Sequence, residues 1–333
     1  MARADAGMLA EQVLAGDRRA LAQAITLIES NRAQDRAAAR ALLEKLVPHS
    51  GNSFRIGISG VPGVGKSTFI ERLGNYLIDN GHRVAVLAVD PSSAISGGSI
   101  LGDKTRMERL AQRHEAFIRP SPAGDTLGGV ARRTRETMLI AEAAGFDIVL
   151  VETVGVGQSE STVSRMTDMF LLLLLPGGGD ELQGIKRGIV ELADLILVNK
   201  ADGNMRLTAE RAVTDYRNAL MFMHPRMPNW EVPVEFCSSL GGEQMAHIWE
   251  LISRFRSHGE KDGFTSRARA EQAGNWMWNE ISNGLIERLR ANPDVAARAA
   301  ALEQAVKQNR LSPTSAADEL LDMFLHSGSK PVP

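Results

Sequence analysis

GVPGVGKST, residues 60–68, lies between the short apolar stretch FRIGIS (54–59) and a segment with helical periodicity, TFIERLGNYLIDNG (68–81). It matches G-x-x-x-x-G-K-[ST] from Gly60 to Ser67, a pattern typical of the phosphate-binding loop between a strand and a helix. Glycines allow successive backbone N–H groups to turn towards an anion, and the helix N-terminus adds its partial positive charge. The context predicts a nucleotide-phosphate site; the alternative is a glycine-rich turn that matches by coincidence.

The motif also predicts roles for individual side chains of this loop. We expect Lys66 to reach the β and γ phosphates and to take part in catalysis, and Ser67 to place its hydroxyl on Mg²⁺. The residues predicted to surround the phosphates of the nucleotide are Gly60, Val61, Pro62, Gly63, Val64, Gly65, Lys66, Ser67 and Thr68.

A second motif, Asn199-Lys200-Ala201-Asp202, follows the apolar run DLILV (194–198) and predicts which base is bound. A carboxylate at Asp202 can accept hydrogen bonds from the ring N1–H and the exocyclic amino group of guanine. Adenine offers neither in that arrangement, so it would leave a buried charge unpaired at a cost of about 1–3 kcal/mol or more. We expect Asn199 to brace the loops and the stem of Lys200 to pack on the base. Taken alone, N-K-x-D could instead be an exposed turn.

A third segment, Ser238-Ser239-Leu240, follows the strand-like run VPVEFC (232–237). It is well placed to offer backbone N–H groups to the guanine carbonyl. Serine-rich turns after strands are common, so an ordinary turn is the alternative interpretation.

The composition is that of an ordinary globular protein. Hydrophobic residues make up 44% and charged residues 23% of 333 residues, and 38 basic against 40 acidic side chains give a net charge of −2. This balance argues against binding to nucleic acid, and no basic amphipathic segment indicates binding to a membrane surface. The longest apolar run, Met169–Leu175, is far too short to span a bilayer, and the N-terminus lacks the pattern of a signal peptide. We therefore expect a cytoplasmic protein whose single cysteine, Cys237, is a small core residue.

Three segments follow one another along the chain. Residues 1–48 have helical patterns, residues 49–260 alternate apolar strands with helices, and residues 261–333 are helical again. The strands are mostly continuous apolar runs, which indicates a parallel sheet covered on both faces. The predicted fold class is therefore α/β: a P-loop NTPase with a mainly parallel sheet flanked by helices, plus N-terminal and C-terminal helical extensions. The predicted strands are Phe54–Ser59, Arg83–Val89, Glu115–Arg119, Asp147–Val151, Asp168–Leu175, Asp194–Asn199 and Val232–Phe236.

Helix boundaries can be predicted in both terminal segments. Asp17 is positioned to cap a helix through LAQAITLIES (21–30), a second helix is expected over residues 34–46, and Asn292-Pro293 is expected to interrupt the C-terminal helices. The C-terminal helices carry apolar residues that either pack on the core domain or form a dimer interface, and the sequence leaves both open. These residues include Trp276, Ile281, Leu285, Ile286 and Leu289.

Three acidic residues near the expected phosphate site are candidates for Mg²⁺ binding and catalysis. Asp90 follows the second predicted strand and could bind the ion directly or through water, or else cap a turn. Asp103, in a glycine-containing loop, could bind Mg²⁺ or orient the attacking water, or else cap the next helix. Glu152 ends the fourth strand, where many GTPases show D-x-x-G, and the N–H of Gly155 could bond the γ-phosphate. Loss of that bond on hydrolysis would release the segment, as in a switch.

The loop PGGGDELQGIKRG, residues 176–188, combines flexible glycines with several charged residues. Beside the nucleotide it could pair Lys186 with Glu152 in one state and with a partner protein in the other. A solvated helix start is the alternative interpretation.

Together these segments resemble the MeaB/ArgK family of G-protein chaperones associated with methylmalonyl-CoA mutase. The resemblance runs from about Ala15 to the helices after Trp276, and it is most specific in the core. The family belongs with the signal-recognition-particle-like (SIMIBI class) P-loop GTPases, which fits Glu152 in place of an aspartate. The segments that carry the resemblance, besides the phosphate loop and NKAD, are AVDPSS, GGSILGDKTRM, RPSPAGDTLGGVARRTRE, DIVLVETVGVGQSE and PGGGDELQGIKRGIVELAD.

The resemblance implies a function that spacing alone does not indicate. Family members hydrolyse GTP, bind an adenosylcobalamin-dependent mutase, gate loading of its cofactor from an adenosyltransferase, and protect or rescue the mutase. They are typically homodimers joined through C-terminal helices, so residues 261–333 are expected to dimerise. The same resemblance implies that residues 180–186 correspond to a third switch segment of the family, in which Lys186 has a catalytic role. The positions that match phosphate, Mg²⁺ and hydrolysis roles are Lys66, Ser67, Asp90, Asp103 and Glu152.

Proteins with other functions contain the same kind of phosphate loop. A metal-insertion GTPase of the nickel-chaperone type usually displays Cys and His ligands, whereas this chain has one Cys and seven scattered His. A P-loop kinase would transfer the phosphate to an acceptor rather than to water. A binding scaffold without hydrolysis is the third alternative.

Overall fold

The computed structural model describes residues 6–30, 32–89, 107–120, 127–153, 159–177, 187–242 and 244–327. The chain divides into two compact units, Met1–Arg269 and Ala270–Pro333.

Within the described residues of the first unit, seven parallel strands form one sheet in the order β3-β2-β4-β1-β5-β6-β7. Each predicted strand is present, which confirms the α/β fold class. β1 lies in the middle of the sheet, between β4 and β5. The carboxyl ends of these three strands therefore lie side by side. The strands are β1 (Phe54–Gly60), β2 (Val84–Val89), β3 (Ala116–Arg119), β4 (Ile148–Thr153), β5 (Met169–Leu174), β6 (Leu195–Val198) and β7 (Val234–Phe236).

Helices cover the sheet on both faces and extend the chain at both ends. In the first unit they are α1 (Ala6–Leu14), α2 (Arg18–Glu29), α3 (Ala33–Leu46), α4 (Lys66–Asp79), α5 (Glu108–Gln112), α6 (Leu127–Ala143), α7 (Ser159–Ser164), α8 (Arg187–Val190), α9 (Arg206–Leu220) and α10 (Met245–Lys261). Helix α11 (Phe264–Ala291) begins in the first unit and continues into the second, which also contains α12 (Pro293–Lys307) and α13 (Pro313–Ser327).

The strands are mostly apolar because successive side chains point into different hydrophobic cores on the two faces of the sheet. In β2, Val84 and Val86 join the cluster formed with α4 and α10, whereas Ala85 and Leu87 join the cluster formed with α1, α2, α3 and α6. The N-terminal helices therefore cover one face of the sheet. As predicted, Asp17 caps α2, since its Oδ1 accepts the N–H groups of Arg19 at 2.7 Å and Ala20 at 2.8 Å.

Aspartates stand just before three of the strands and explain why those strands start one residue later than predicted. Asp147 accepts the Arg83 N–H at 2.7 Å, Asp168 accepts the Arg55 N–H at 2.8 Å, and Asp194 accepts the Phe170 N–H at 2.8 Å. Each carboxylate thus bonds a backbone donor at the entrance of a neighbouring strand, in place of a ladder carbonyl.

Two of these aspartates also pair with arginines at the same edge of the sheet. Asp168, whose side chain is 1% exposed, accepts two bonds from Arg269, at 2.7 and 2.5 Å. Asp194 accepts a bond from Arg226 at 2.6 Å, and burial raises the pKa of Asp194 to about 6 against the opposing effect of that arginine. The bidentate contact with Asp168 holds the start of α11 to the entrance of β5, and the contact of Arg226 with Asp194 holds the segment after α9 to the entrance of β6.

The second unit consists of helices. The predicted interruption is confirmed, because Asn292 caps α12 by accepting the N–H groups of Asp294 at 3.0 Å and Val295 at 3.2 Å. Arg298 of α12 pairs with Glu319 of α13 at 2.6 Å. In the described parts of the chain, no helix is both long and apolar enough to cross a membrane. The large apolar side chains exposed in this unit are Met277, Trp278, Ile281, Leu285, Ile286, Leu321 and Leu325.

Asp168→Asn should destabilise the protein measurably. The change keeps the shape of the side chain but leaves Arg269 opposite a neutral amide, and removal of one partner of a buried pair costs about 3 kcal/mol. Urea denaturation followed by circular dichroism measures the loss. Glu210→Gln is the control, since Glu210 forms an exposed pair with Arg206 at 3.3 Å, worth about 0.5 kcal/mol or less. Equal midpoints for the two variants would contradict the role of the buried pair.

Candidate functional site

The carboxyl ends of the parallel strands meet at one edge of the sheet, where open α/β sheets bind ligands. Ile58 of β1 is in register with Glu152 of β4, and Gly60 is in register with Leu173 of β5. Thr153 donates to Ser59 across this edge at 2.9 Å, with both side chains buried. The carboxyl end of β4 and the loops after β1, β6 and β7 therefore lie at the same edge of the sheet.

Two glycines of the loop after β1 permit close approach to its neighbours. Gly60 has φ +154°, and a Cβ there would lie 2.4 Å from the carbonyl oxygen of Leu173. Gly65, which precedes α4, has φ +98°, and a Cβ there would lie 2.7 Å from Nδ2 of Asn199. A side chain at either position would collide with the next loop or strand, so the motif needs glycine at both.

Lys66 is the first residue of α4 and is buried, with 8% of its surface exposed. Its Nζ donates to the carbonyl oxygens of Gly60 at 2.7 Å and Val61 at 3.3 Å. Burial lowers the pKa of Lys66, and the charges of Glu152 and Glu160 oppose that shift. An ammonium has three donors, so the same group can also donate to a phosphate oxygen beside the loop.

Ser67 and Glu152, which come from two separate motifs, are in contact in the folded chain. The Ser67 hydroxyl donates to Oε1 of Glu152 at 3.1 Å, and Glu152 is 4% exposed. A hydroxyl and a carboxylate are oxygen ligands of the kind that Mg²⁺ takes. The described residues contain no group of three or more His, Cys, Asp or Glu that could hold a metal.

Asn199 bridges the phosphate loop and the loop after β7, which is the bracing role expected from its motif. Its Nδ2 donates to the Val64 carbonyl at 2.8 Å. Its Oδ1 accepts from the N–H of Ser239 at 3.1 Å and from the hydroxyl of Ser239 at 2.7 Å. Asn199 is 1% exposed, so these bonds are made away from water and fix both loops against each other.

The rest of the predicted base site is at the surface. Lys200 and Asp202 are exposed, and Lys200 has φ +61°. The turn that carries them is held by two backbone bonds, from Ala201 N–H to the Cys237 carbonyl at 3.0 Å and from Cys237 N–H to the Val198 carbonyl at 2.8 Å. Cys237 is a buried core residue, as expected, and burial together with the charge of Asp202 raises the pKa of its thiol to about 12.

The loop after β7 combines buried and exposed residues. Ser238 and Ser239 are buried, whereas Leu240 is 68% exposed. The Ser238 hydroxyl accepts the Gly241 N–H at 3.2 Å, which rounds the loop into a turn beside Asn199. Its exposed residue Leu240 lies on the loop next to the NKAD turn.

Glu160 is a site residue that the sequence analysis did not single out. It lies on α7, is 3% exposed, and acts electrostatically on Lys66. Its sequence position, at the end of VETVGVGQSE, was the available signal. Four predicted site residues, Asp90, Asp103, Gly155 and Lys186, lie outside the residues that the structure describes.

Comparisons with known proteins agree with this geometry. The model of the family described as "Methylmalonyl Co-A mutase-associated GTPase MeaB" matches residues 21–294. A putative GTPase of Caulobacter vibrioides is 54% identical, over 96% of this chain and 98% of the relative. The GTPase ArgK of Escherichia coli is 45% identical, over 93% of each chain. The mitochondrial methylmalonic aciduria type A homolog of Mus musculus is also 45% identical, over 93% of this chain and 77% of that protein.

A solved structure has the same fold over nearly the whole chain. It is the crystal structure of a LAO/AO transport system kinase, with a TM-score of 0.77 and 37% identity, and it covers 98% of this chain and 99% of that one.

Gly65→Ala should weaken nucleotide binding strongly. The new Cβ would displace Asn199, and a left-handed backbone adds about 1–2 kcal/mol for a residue with a side chain, so we expect the Kd for GDP to rise by more than about tenfold. Gly81→Ala is the matched control, because Gly81, just after α4 and outside the phosphate loop, also has positive φ, +90°, but a Cβ there would meet nothing within 4 Å. Calorimetric titration with GDP measures both variants. Equal losses would show that the contact with Asn199 does not matter.

Proposed function

The chain belongs to the MeaB family of methylmalonyl-CoA mutase-associated GTPases, and we propose that it uses GTP hydrolysis to control the loading of adenosylcobalamin into such a mutase. One observation carries the nucleotide half of this proposal: Asn199 ties the phosphate loop to the loop after β7, at 2.8 Å and 3.1 Å. The phosphate site and the base site are thus built as one rigid unit, as recognition of a whole nucleotide requires.

Guanine recognition falls to the exposed carboxylate of Asp202. Its neighbours, Lys200 on the same turn and Leu240 on the facing loop, are exposed as well, and a bound base would cover all three. Asp202 then accepts the N1–H and the amino group of guanine, and the stem of Lys200 packs on the ring. Adenine would leave the carboxylate desolvated and unpaired.

Hydrolysis needs charge stabilisation and a positioned water rather than covalent chemistry. Lys66 binds the β and γ phosphates, and the oxygen donors of Ser67 and Glu152 suit Mg²⁺, which would neutralise developing charge when bound. Asp90 and Asp103 are proposed to complete the metal site, and Asp103, Glu152 and Lys186 to orient the water and respond to the γ-phosphate through Gly155. These residues supply little of the reaction without a partner, so we expect slow turnover by the protein alone.

The partner role follows from the family. We propose that the GTP-bound protein binds an adenosylcobalamin-dependent methylmalonyl-CoA mutase, gates transfer of the cofactor from its adenosyltransferase, and protects or reactivates the mutase. Residues 176–188 are proposed as the switch that carries this signal. The relatives named for methylmalonic aciduria type A support the assignment.

Self-association is proposed for the second unit. Its exposed apolar residues include Trp278, Leu285 and Ile286, at 63%, 51% and 50% exposure. A group of this size on adjacent helical turns is typical of an interaction surface, and a second copy of the chain is the proposed occupant. We place the dimerisation segment at residues 261–333, after a GTPase domain at 49–260 and an N-terminal helical segment at 1–48.

Asp202→Asn should change base selectivity rather than phosphate binding. An amide cannot accept both guanine donors, so the Kd for GTP should rise by about tenfold or more, while xanthosine triphosphate, which offers a carbonyl in place of the amino group, should bind better than to the wild type. Asp215→Asn on α9 is the control, because Asp215 is an exposed aspartate outside the motif. Unchanged selectivity in the Asp202 variant would exclude it from the base site.

Turnover should rise when the mutase is added. Phosphate release from GTP is measured with and without methylmalonyl-CoA mutase, and a stimulation of about tenfold or more is expected if the partner completes the catalytic arrangement. Lys66→Ala is the control for the reaction itself, and it should abolish turnover in both conditions. Identical rates with and without the mutase would contradict the coupling.

A further inference from the structure

Arg72 links the helix that follows the phosphate loop to the loop that follows β7. It lies on α4, on the second turn from Lys66. Its Nε donates to the carbonyl oxygen of Ser239 at 3.2 Å, and its Nη2 donates to the carbonyl oxygen of Leu240 at 2.7 Å. A guanidinium is a rigid, planar fork of donors, so it fixes two successive carbonyls at once.

These two bonds also orient backbone donors. In a trans peptide the C=O and the following N–H point in opposite directions. Once the Ser239 carbonyl faces Arg72, the N–H of Leu240 therefore faces away from α4. The neighbouring donors already have acceptors in the protein, since Ser239 N–H bonds Asn199 and Gly241 N–H bonds the Ser238 hydroxyl. Leu240 N–H is thus the donor whose direction Arg72 sets.

The loop is held from two sides by parts of the phosphate site. Asn199 connects Ser239 to Val64 in the phosphate loop itself. Arg72 connects the next peptide to α4, whose first residue is Lys66. The position of the loop is consequently set by the phosphate-binding elements and not by β7 alone.

We propose that Arg72 is a positioning residue for base recognition, which holds the Leu240 N–H towards the 6-oxo group of a guanine bound at Asp202. The inference rests on the proposed guanine site, including the contact with the guanine carbonyl expected of Ser238-Ser239-Leu240, and assigns the positioning of that contact to Arg72. Asp202 reads the N1–H and the 2-amino group, whereas the loop fixed by Arg72 reads the carbonyl at position 6. Base selectivity then depends on a side chain that does not touch the base.

Comparing GTP with each of two analogues tests the two contacts independently. Inosine triphosphate lacks only the 2-amino group, so the ratio of its Kd to that of GTP reports on Asp202. 6-Thio-GTP keeps the N1–H and the amino group but carries sulfur, a weak acceptor, at position 6, so its ratio to GTP reports on the Leu240 N–H. In the wild type each ratio should be roughly three to ten, as expected for one hydrogen bond.

In Arg72→Ala, the Kd of 6-thio-GTP should be close to that of GTP, whereas the ratio of the Kd of inosine triphosphate to that of GTP should not change. The Kd for GTP itself should rise by roughly three- to tenfold. Arg72→Lys should retain part of the 6-thio-GTP ratio, because an ammonium can donate to one carbonyl but cannot span both. Arg256→Ala is the matched control. Arg256 forms an ion pair with Glu260 at 2.8 Å and lies over Phe54 at the opposite end of β1.

The outcomes distinguish the two proposals. If the wild type discriminates against 6-thio-GTP and Arg72→Ala keeps the full ratio, Arg72 has no role in reading the base. If both ratios fall together in Arg72→Ala, the residue only supports the fold of the site, and the inference is overturned. If the wild type shows no preference for GTP over inosine triphosphate, the guanine site at Asp202 fails, independently of Arg72. Circular dichroism of each variant verifies folding before titration.

Discussion

A single amide group holds the nucleotide site together. Asn199 donates to the phosphate loop with one end and accepts from the loop after β7 with the other, and it is fully enclosed. An amide offers both a donor and an acceptor, so neither a carboxylate nor an apolar side chain of similar size could satisfy both loops. Loss of either bond would leave a buried polar group unpaired. The relative placement of the phosphate loop and the loop after β7 therefore depends on Asn199, together with the bonds from Arg72.

The charge balance around Lys66 constrains what can bind. The buried ammonium of Lys66 interacts electrostatically with two buried glutamates, Glu152 and Glu160. A nucleoside triphosphate bound at the phosphate loop would add negative charge beside these two side chains. Such a site becomes favourable when a cation accompanies the nucleotide, since like charges at low dielectric repel strongly. The hydroxyl of Ser67 beside Glu152 provides the oxygen ligands that such a cation prefers.

Local patterns predicted much of this architecture. The strands were evident because both faces of the sheet are covered, which makes most of their residues apolar. The caps at Asp17 and Asn292 and the phosphate loop were predictable because each depends on residues that are close in sequence. Glu160 and Arg72 were missed, since their importance comes from contacts that only the folded sheet creates. Arg72 and the carbonyl of Leu240, for example, are 168 residues apart in the chain, and no periodicity connects them.

The first residues of the strands show a second limit of prediction from local sequence. Asp147, Asp168 and Asp194 were assigned to strands, yet each lies just outside and bonds a backbone donor of a neighbouring strand. The pairing of Asp168 with Arg269 adds a residue 101 positions away. Sequence patterns identify an aspartate near a strand, but its bonding partner depends on the order of strands in the sheet.

These aspartates also have a consequence for how the chain assembles. If a strand paired with its neighbour one step out of alignment, a carboxylate would be drawn into the apolar interior without its donor, and a buried, unpaired charge is severely unfavourable. A shift in the direction that buries the carboxylate is therefore penalised at the strand entrance. The aspartates at the edge opposite the phosphate loop thus favour the native register of these strands.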